Sequence, residues 1–222
     1  MPGGAASIAR SGEDRDEDRG AQRFALYIRS AKLVCDGREF VCVIRDVSAS
    51  GVKLRLFHDL PQAAGGKPGL KLCLQTGDAH HIELAWSRDR EAGFSFSDDI
   101  DLDRFLAETS GLWPKRPLRF NFDLPVRLSS LRGKMEARLC NLSQQGVGVL
   151  CEERLAIDQL VRIECDTLPE IVGKVRWRDG ELYGLVLENT FRLDEFALLV
   201  NRLQGGPEPV TTVSPLNLPV RR

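Results

Sequence analysis

The chain has 222 residues, 42% of them hydrophobic and 28% charged, with 31 basic against 32 acidic side chains. That length allows one large domain or two of about 100 residues, and the composition excludes wholesale disorder, collagen and a disulfide scaffold. No stretch reaches the roughly 18 uncharged apolar residues of a membrane span, and the opening MPGGAASIA lacks the basic and long apolar regions of a signal peptide.

A cytoplasmic location without membrane insertion is therefore expected. Residues 1–18 form an acidic leader with two arginines and five acids. Residues 19–110 carry 13 charges of each sign, and residues 115–203 carry 14 basic and 13 acidic. Neither block has the surplus of a phosphate-backbone binder, so bulk nucleic-acid binding is not expected. The cysteines, Cys35, Cys42, Cys73, Cys140, Cys151 and Cys165, never fall in CxxC or finger spacing. Most sit in apolar runs, where a reduced thiol packs as a small hydrophobe, and no metal site is expected.

In chain order, the segments FALYIRSAKLVC, EFVCVIRDV, GVKLRLF, LKLCLQ, HIELAWS and AGFSFS are short, partly alternating and rich in β-branched or aromatic residues. They predict six strands, the first two joined by a turn at Asp36-Gly37. A helical segment, DLDRFLAETS, follows. The whole series then repeats. Arg23-Phe24 matches Arg119-Phe120 at an offset of 96, Ser48 and Gly51 match Ser143 and Gly146 at 95, and Trp86, Gly93 and Phe105 match Trp177, Gly184 and Phe196 at 91. The second copy's strands are FDLPVRLSSL, KMEARLCNL, GVGVLC, QLVRIEC, IVGKVRW and LYGLVLE, and its helix is RLDEFALLVNRLQ. In that helix Leu193, Phe196, Leu199, Val200 and Leu203 form one apolar stripe. The prediction is an all-β chain with short helices: two tandem six-stranded antiparallel barrels, residues 19–110 and 115–204, each closed or nearly closed, which removes sheet edges, and followed by a helix. Residues 111–114 read as the linker and 205–222 as a flexible tail.

Two short elements of the first copy carry chemistry: Arg19-x-x-x-Arg23 before the first strand, and Asp46-x-Ser48-x-x-Gly51 between the second and third. Arginine forks pair bidentately with phosphate or with the guanine edge and stack on bases. Four residues apart, the two arginines share a side at ~13 Å in an extended segment. Asp46 can accept N–H donors, Ser48 can donate or accept a hydrogen bond, and Gly51 permits a turn and close backbone approach. Taken singly, the same residues read as a solvated segment and a side-chain-capped turn.

Together the elements resemble the RxxxR and (D/N)xSxxG signatures of the PilZ domain family, and the tryptophan-bearing strand and the glycine-led strand after it resemble that family too. The resemblance implies a six-stranded barrel that binds cyclic di-GMP on its outer surface through Arg19, Arg23, Asp46, Ser48 and Gly51, with cyclic di-GMP as ligand and no cofactor. The second copy departs from the pattern as Lys115-x-x-x-Arg119 and Asn141-x-Ser143-x-x-Gly146. Lysine is a point charge without the fork and Pro117 stiffens the loop, so this weaker second site is expected to pack or signal. His80 and His81, adjacent on a strand, point to opposite faces and cannot share one metal. His58 has no partner motif. Ser48 lacks a nucleophile elbow, and Trp86 and Trp177 read as core or barrel-edge packing. No enzyme is expected. The reading is a receptor in which the leader orders over one cyclic di-GMP per chain and changes the domain arrangement, with a downstream protein partner that the sequence does not name. The alternative is a ligand-free interaction scaffold.

Overall fold

The computed structural model describes residues 24–60, 69–107 and 117–205. The first copy contains β1 (Phe24–Cys35), β2 (Arg38–Val47), β3 (Gly51–Leu56), β4 (Leu70–Cys73), β5 (Ala79–Arg88), β6 (Glu91–Phe96) and α1 (Leu102–Ala107). The second contains β7 (Phe120–Ser130), β8 (Gly133–Leu142), β9 (Gly146–Leu150), β10 (Leu160–Glu164), β11 (Ile171–Asp179), β12 (Leu182–Leu187) and α2 (Leu193–Leu203). Each set of six strands closes into an antiparallel barrel, in the order β1-β2-β3-β6-β5-β4 and β7-β8-β9-β12-β11-β10. The predicted two-barrel architecture is what the strands form. Asp36 and Gly37 take φ of 48° and 81°, the left-handed pair that a two-residue hairpin turn requires. No helix of the described residues is long and apolar enough to cross a membrane.

Burial follows the sequence pattern strand by strand. In β8, Met135, Ala137 and Leu139 are buried between exposed Glu136 and Arg138, so one face meets the core and the other meets water. In β2, Phe40 through Ile44 are all buried. The continuous apolar run in EFVCVIRDV is the sequence counterpart of that two-sided burial. Its outer face is covered by the second half of the chain: Val41 belongs to the hydrophobic core of the second barrel. The α2 stripe packs as predicted, with Phe196, Leu199 and Val200 buried and Leu193 and Leu203 half-buried against the same core.

Polar contacts fix this junction. The Gln204 side-chain amide accepts the Glu39 backbone N–H at 2.7 Å and donates to the Glu39 carbonyl at 2.8 Å, which extends the β2 ladder by one peptide-like unit. The Glu39 carboxylate accepts the Lys32 ammonium at 2.7 Å and the Asn121 backbone N–H at 2.9 Å. Lys32 also lies 5.0 Å from the centre of the Phe120 ring. At the helix end of the first barrel, buried Arg29 donates to the Phe105 carbonyl at 2.6 Å and lies over the Phe105 ring, where burial lowers its pKa. This contact ties the short α1 to β1.

Candidate functional site

Strand register sets the first residues of β1 and of β7 against the last residues of β2 and of β8, next to the serine-glycine turn of each copy. Phe24 pairs with Val47 and Ala25 with Asp46, so the first residues of β1 lie beside the Asp46–Gly51 turn. Arg19 and Arg23 lie outside the described residues, as does Lys115. In the second barrel Phe120 pairs with Leu142 and Asn121 with Asn141, which sets Arg119 next to Ser143.

The turn itself is held by its serine. Ser48 Oγ accepts the Gly51 N–H at 3.2 Å and lies 3.3 Å from the Gly51 carbonyl, and the Ser48 N–H bonds the same carbonyl at 2.8 Å. Ser143 repeats this with Gly146 at 3.0, 3.0 and 2.8 Å. Both serines are buried, so each hydroxyl serves as a turn cap. A Cβ on Gly51 would sit 2.8 Å from the Phe94 carbonyl oxygen, and one on Gly146 2.9 Å from that of Leu185. The glycines are thus required by the approach of the neighbouring strand, and the blocking backbone cannot swing aside as a side chain can. Gly51→Ala and Gly146→Ala should each cost about 2 kcal/mol in urea unfolding. A loss within error of zero would show that the strands part freely there.

Next to each turn, one row of residues crosses four strands on the outer face. In the first barrel it runs Asp46, Lys53, Gly93, Trp86, each paired with the next. In the second it runs Asn141, Gly148, Gly184, Trp177. Of the two packing roles expected for the tryptophans, core burial is corrected here, since Trp86 is 46% exposed and Trp177 38%, and packing at the barrel surface is what the strands show. Each indole lies flat against a glycine, because a Cβ on Gly93 or Gly184 would come within 2.1 or 2.0 Å of the ring. Removing the side chain on the facing strand makes a shelf for an aromatic plane on the outside of the barrel. In the first barrel the Lys53 ammonium stands 5.9 Å from the Trp86 ring centre and pairs with Glu91 at 2.6 Å. The hydrogen bond from Lys53 holds the Glu91 carboxyl below its usual range. In the second barrel the Asn141 amide leans over Gly148 instead.

A cleft opens beside the second row. Arg119, Ser143, Gly146, Arg176, Trp177 and Val186 are among its lining residues. Three of the five predicted second-copy residues therefore meet in one place, and Asn141 sits one pair along the sheet.

Residues 115–204 match the PilZ domain family. This segment is a PilZ domain. Among solved structures the chain is similar to the Borreliella burgdorferi PlzA protein in complex with c-di-GMP, at 13% identity over 82% of this chain and 93% of that one, with a TM-score of 0.35. It is similar to the K. pneumonia MrkH–c-di-GMP complex, at 14% identity, 80% and 88% coverage and a TM-score of 0.32. It is also similar to the Bacillus subtilis inhibitor of motility MotI/DgrA, at 13%, 81% and 98%, and 0.32. No curated protein matches the sequence.

Residue types alone did not single out Lys53 and Trp86 in the first barrel or Arg176 and Trp177 in the PilZ domain. A usable signal was present: each tryptophan precedes its glycine by seven residues in both copies, the spacing of two partners across a hairpin. The histidines fall as the strand pattern requires. The half-buried His80 ring packs 5.6 Å from both Phe96 and Phe105, and His81 is exposed. Among the described residues no group of three or more His, Cys, Asp or Glu is placed to hold a metal ion.

Proposed function

We propose that the chain is a receptor for cyclic di-GMP that takes the messenger on the outer face of its first barrel, through Arg19, Arg23, Asp46, Ser48 and Gly51. The observation that supports this reading is the register of β1 on β2, which sets Phe24 and Ala25, the residues that follow Arg23 in the sequence, against Val47 and Asp46. There Asp46 is an acceptor for guanine N–H groups, Lys53 a cation for phosphate, and Trp86 a half-exposed aromatic plane for a base. Ser48 and Gly51 contribute by shaping the turn. The PilZ match of residues 115–204 supports the same ligand class for a barrel of identical strand order. Pinning the two arginines against the barrel orders the segment around them and alters how the leader meets the domains.

Calorimetric titration of the full chain with cyclic di-GMP tests the assignment. Arg19→Ala and Arg23→Ala should each lose roughly 2 kcal/mol of binding, since a charge-assisted bond disappears and a ligand group is left unpaired. Lysine at either position should restore little, because a point charge cannot make paired bonds. Unchanged affinity in both variants would remove the site from the first barrel. Absence of binding by the unaltered chain would leave the ligand-free scaffold as the reading. Hydrogen exchange in saturating ligand should show new protection around Arg23.

A further inference from the structure

The geometry points to Arg176 as the second guanidinium of a messenger site in the PilZ domain, an inference that rests on the cyclic di-GMP reading and extends it to the second barrel. By motif the domain is one fork short, with Lys115 where the first copy has Arg19. The cleft beside Ser143 and Gly146 is nevertheless lined by two arginines, Arg119 and Arg176. Arg119 makes no hydrogen bond or ion pair among the described residues.

Arg176 and Trp177 are consecutive on β11, and regular strand alternation would send them to opposite faces. The ladder is irregular there: Val175 pairs with Leu185 and Trp177 with Gly184, which leaves Arg176 without a partner. Such a bulge re-aims side chains, and both residues line the cleft. The first barrel has the same bulge between Leu84 and Trp86, but its extra residue is Ala85. Each copy thus places the bulge residue beside an exposed indole, and only the PilZ domain puts a cation there.

Arg176 is held in waiting by Asp158. That residue takes a left-handed φ of 64° and is pinned to the bulge strand by its N–H on the Val175 carbonyl at 2.8 Å. Its carboxylate accepts Arg176 Nη1 at 3.1 Å and stands 3.6 Å from the Lys174 ammonium. An arriving phosphate can draw Arg176 away while Lys174 remains beside Asp158. The exchange replaces one solvent-exposed ion pair, which is weak, with a bidentate contact.

Titrating the full chain and its Arg19→Ala/Arg23→Ala double variant with cyclic di-GMP separates the two sites. The double variant should still bind one messenger per chain, and adding Arg176→Ala should weaken that remaining binding at least tenfold. Arg176→Lys should behave like the alanine variant, and Asp158→Asn should tighten binding several-fold by freeing the guanidinium. If the unaltered chain binds and the double variant binds nothing, the second site is overturned while the receptor reading stands. If the double variant binds and Arg176→Ala changes nothing, the role of Arg176 is overturned. If the unaltered chain itself binds nothing, both readings fall together.

Discussion

Phe120→Ala should lower the stability of the chain by about 3–5 kcal/mol, the range for truncating a fully buried phenylalanine. The ring is completely inaccessible and lies edge-on to Phe196 at 5.4 Å, in the core shared by β7, α2 and the outer face of β2. On its other side is the Lys32 ammonium of the first barrel, at 5.0 Å from the ring centre. Truncation leaves a cavity between two closed barrels, whose hydrogen-bonded walls cannot collapse into it. It also removes the aromatic face from a poorly solvated cation, adding about 1 kcal/mol. Urea unfolding followed by circular dichroism should show a midpoint shift of that size, and Phe120→Leu should recover more than half of it. A loss under about 1 kcal/mol would mean that the site repacks freely. Because the ring joins the two halves, a single unfolding transition splitting into two is the further sign expected of the alanine variant.

Glu39→Ala should cost roughly 2–4 kcal/mol, less than the full penalty for stranding a buried charge because Lys32 keeps some contact with water. The two side chains are only 16% and 12% exposed and meet at 2.7 Å. Without the carboxylate, the Lys32 ammonium loses its counter-ion and the Asn121 N–H its acceptor. Glu39→Gln retains an acceptor for Asn121 and should lose less. The combined Glu39→Gln/Lys32→Met variant should return much of the stability, since a matched apolar or neutral pair leaves no uncompensated charge. A double-mutant cycle measures the coupling directly. A coupling near zero would reduce the contact to an ordinary surface pair. Asn121 follows Arg119 by two residues, so weakening Glu39 also loosens the anchor of the chain at the PilZ-domain cleft.

Much of the fold was legible in the residues because its signals are local or periodic. Alternation in KMEARLCNL marks a strand with one wet face, and the unbroken run in EFVCVIRDV marks one covered on both. Asp36-Gly37 specifies a tight hairpin through its tolerance of left-handed φ. The spacing of Phe196, Leu199 and Val200 puts them on one helix face. The Ser-x-x-Gly elements are also local, since a serine three residues before a glycine can cap the turn it sits in.

Other features depend on which strands meet, and no single segment carries that information. The run in β2 announces a cover for its outer face, but only the packed chain shows that α2, Gln204 and the core around Val41 supply it. A tryptophan in a strand reads as core by its apolar area. It becomes an exposed shelf only when register sets Gly93 or Gly184 opposite it and removes the side chain that would occupy the space. The bulges before Trp86 and Trp177 arise from mismatched counts on two paired strands, so the face on which Arg176 emerges is decided by its partner strand. Two β-barrels, their turns and their helix stripes were readable from the order of residues, because each follows from the stereochemistry of a short segment. Tertiary structure alone decided which outer faces are covered and which cations and aromatic planes share a cleft, because those depend on distances between segments far apart in the chain.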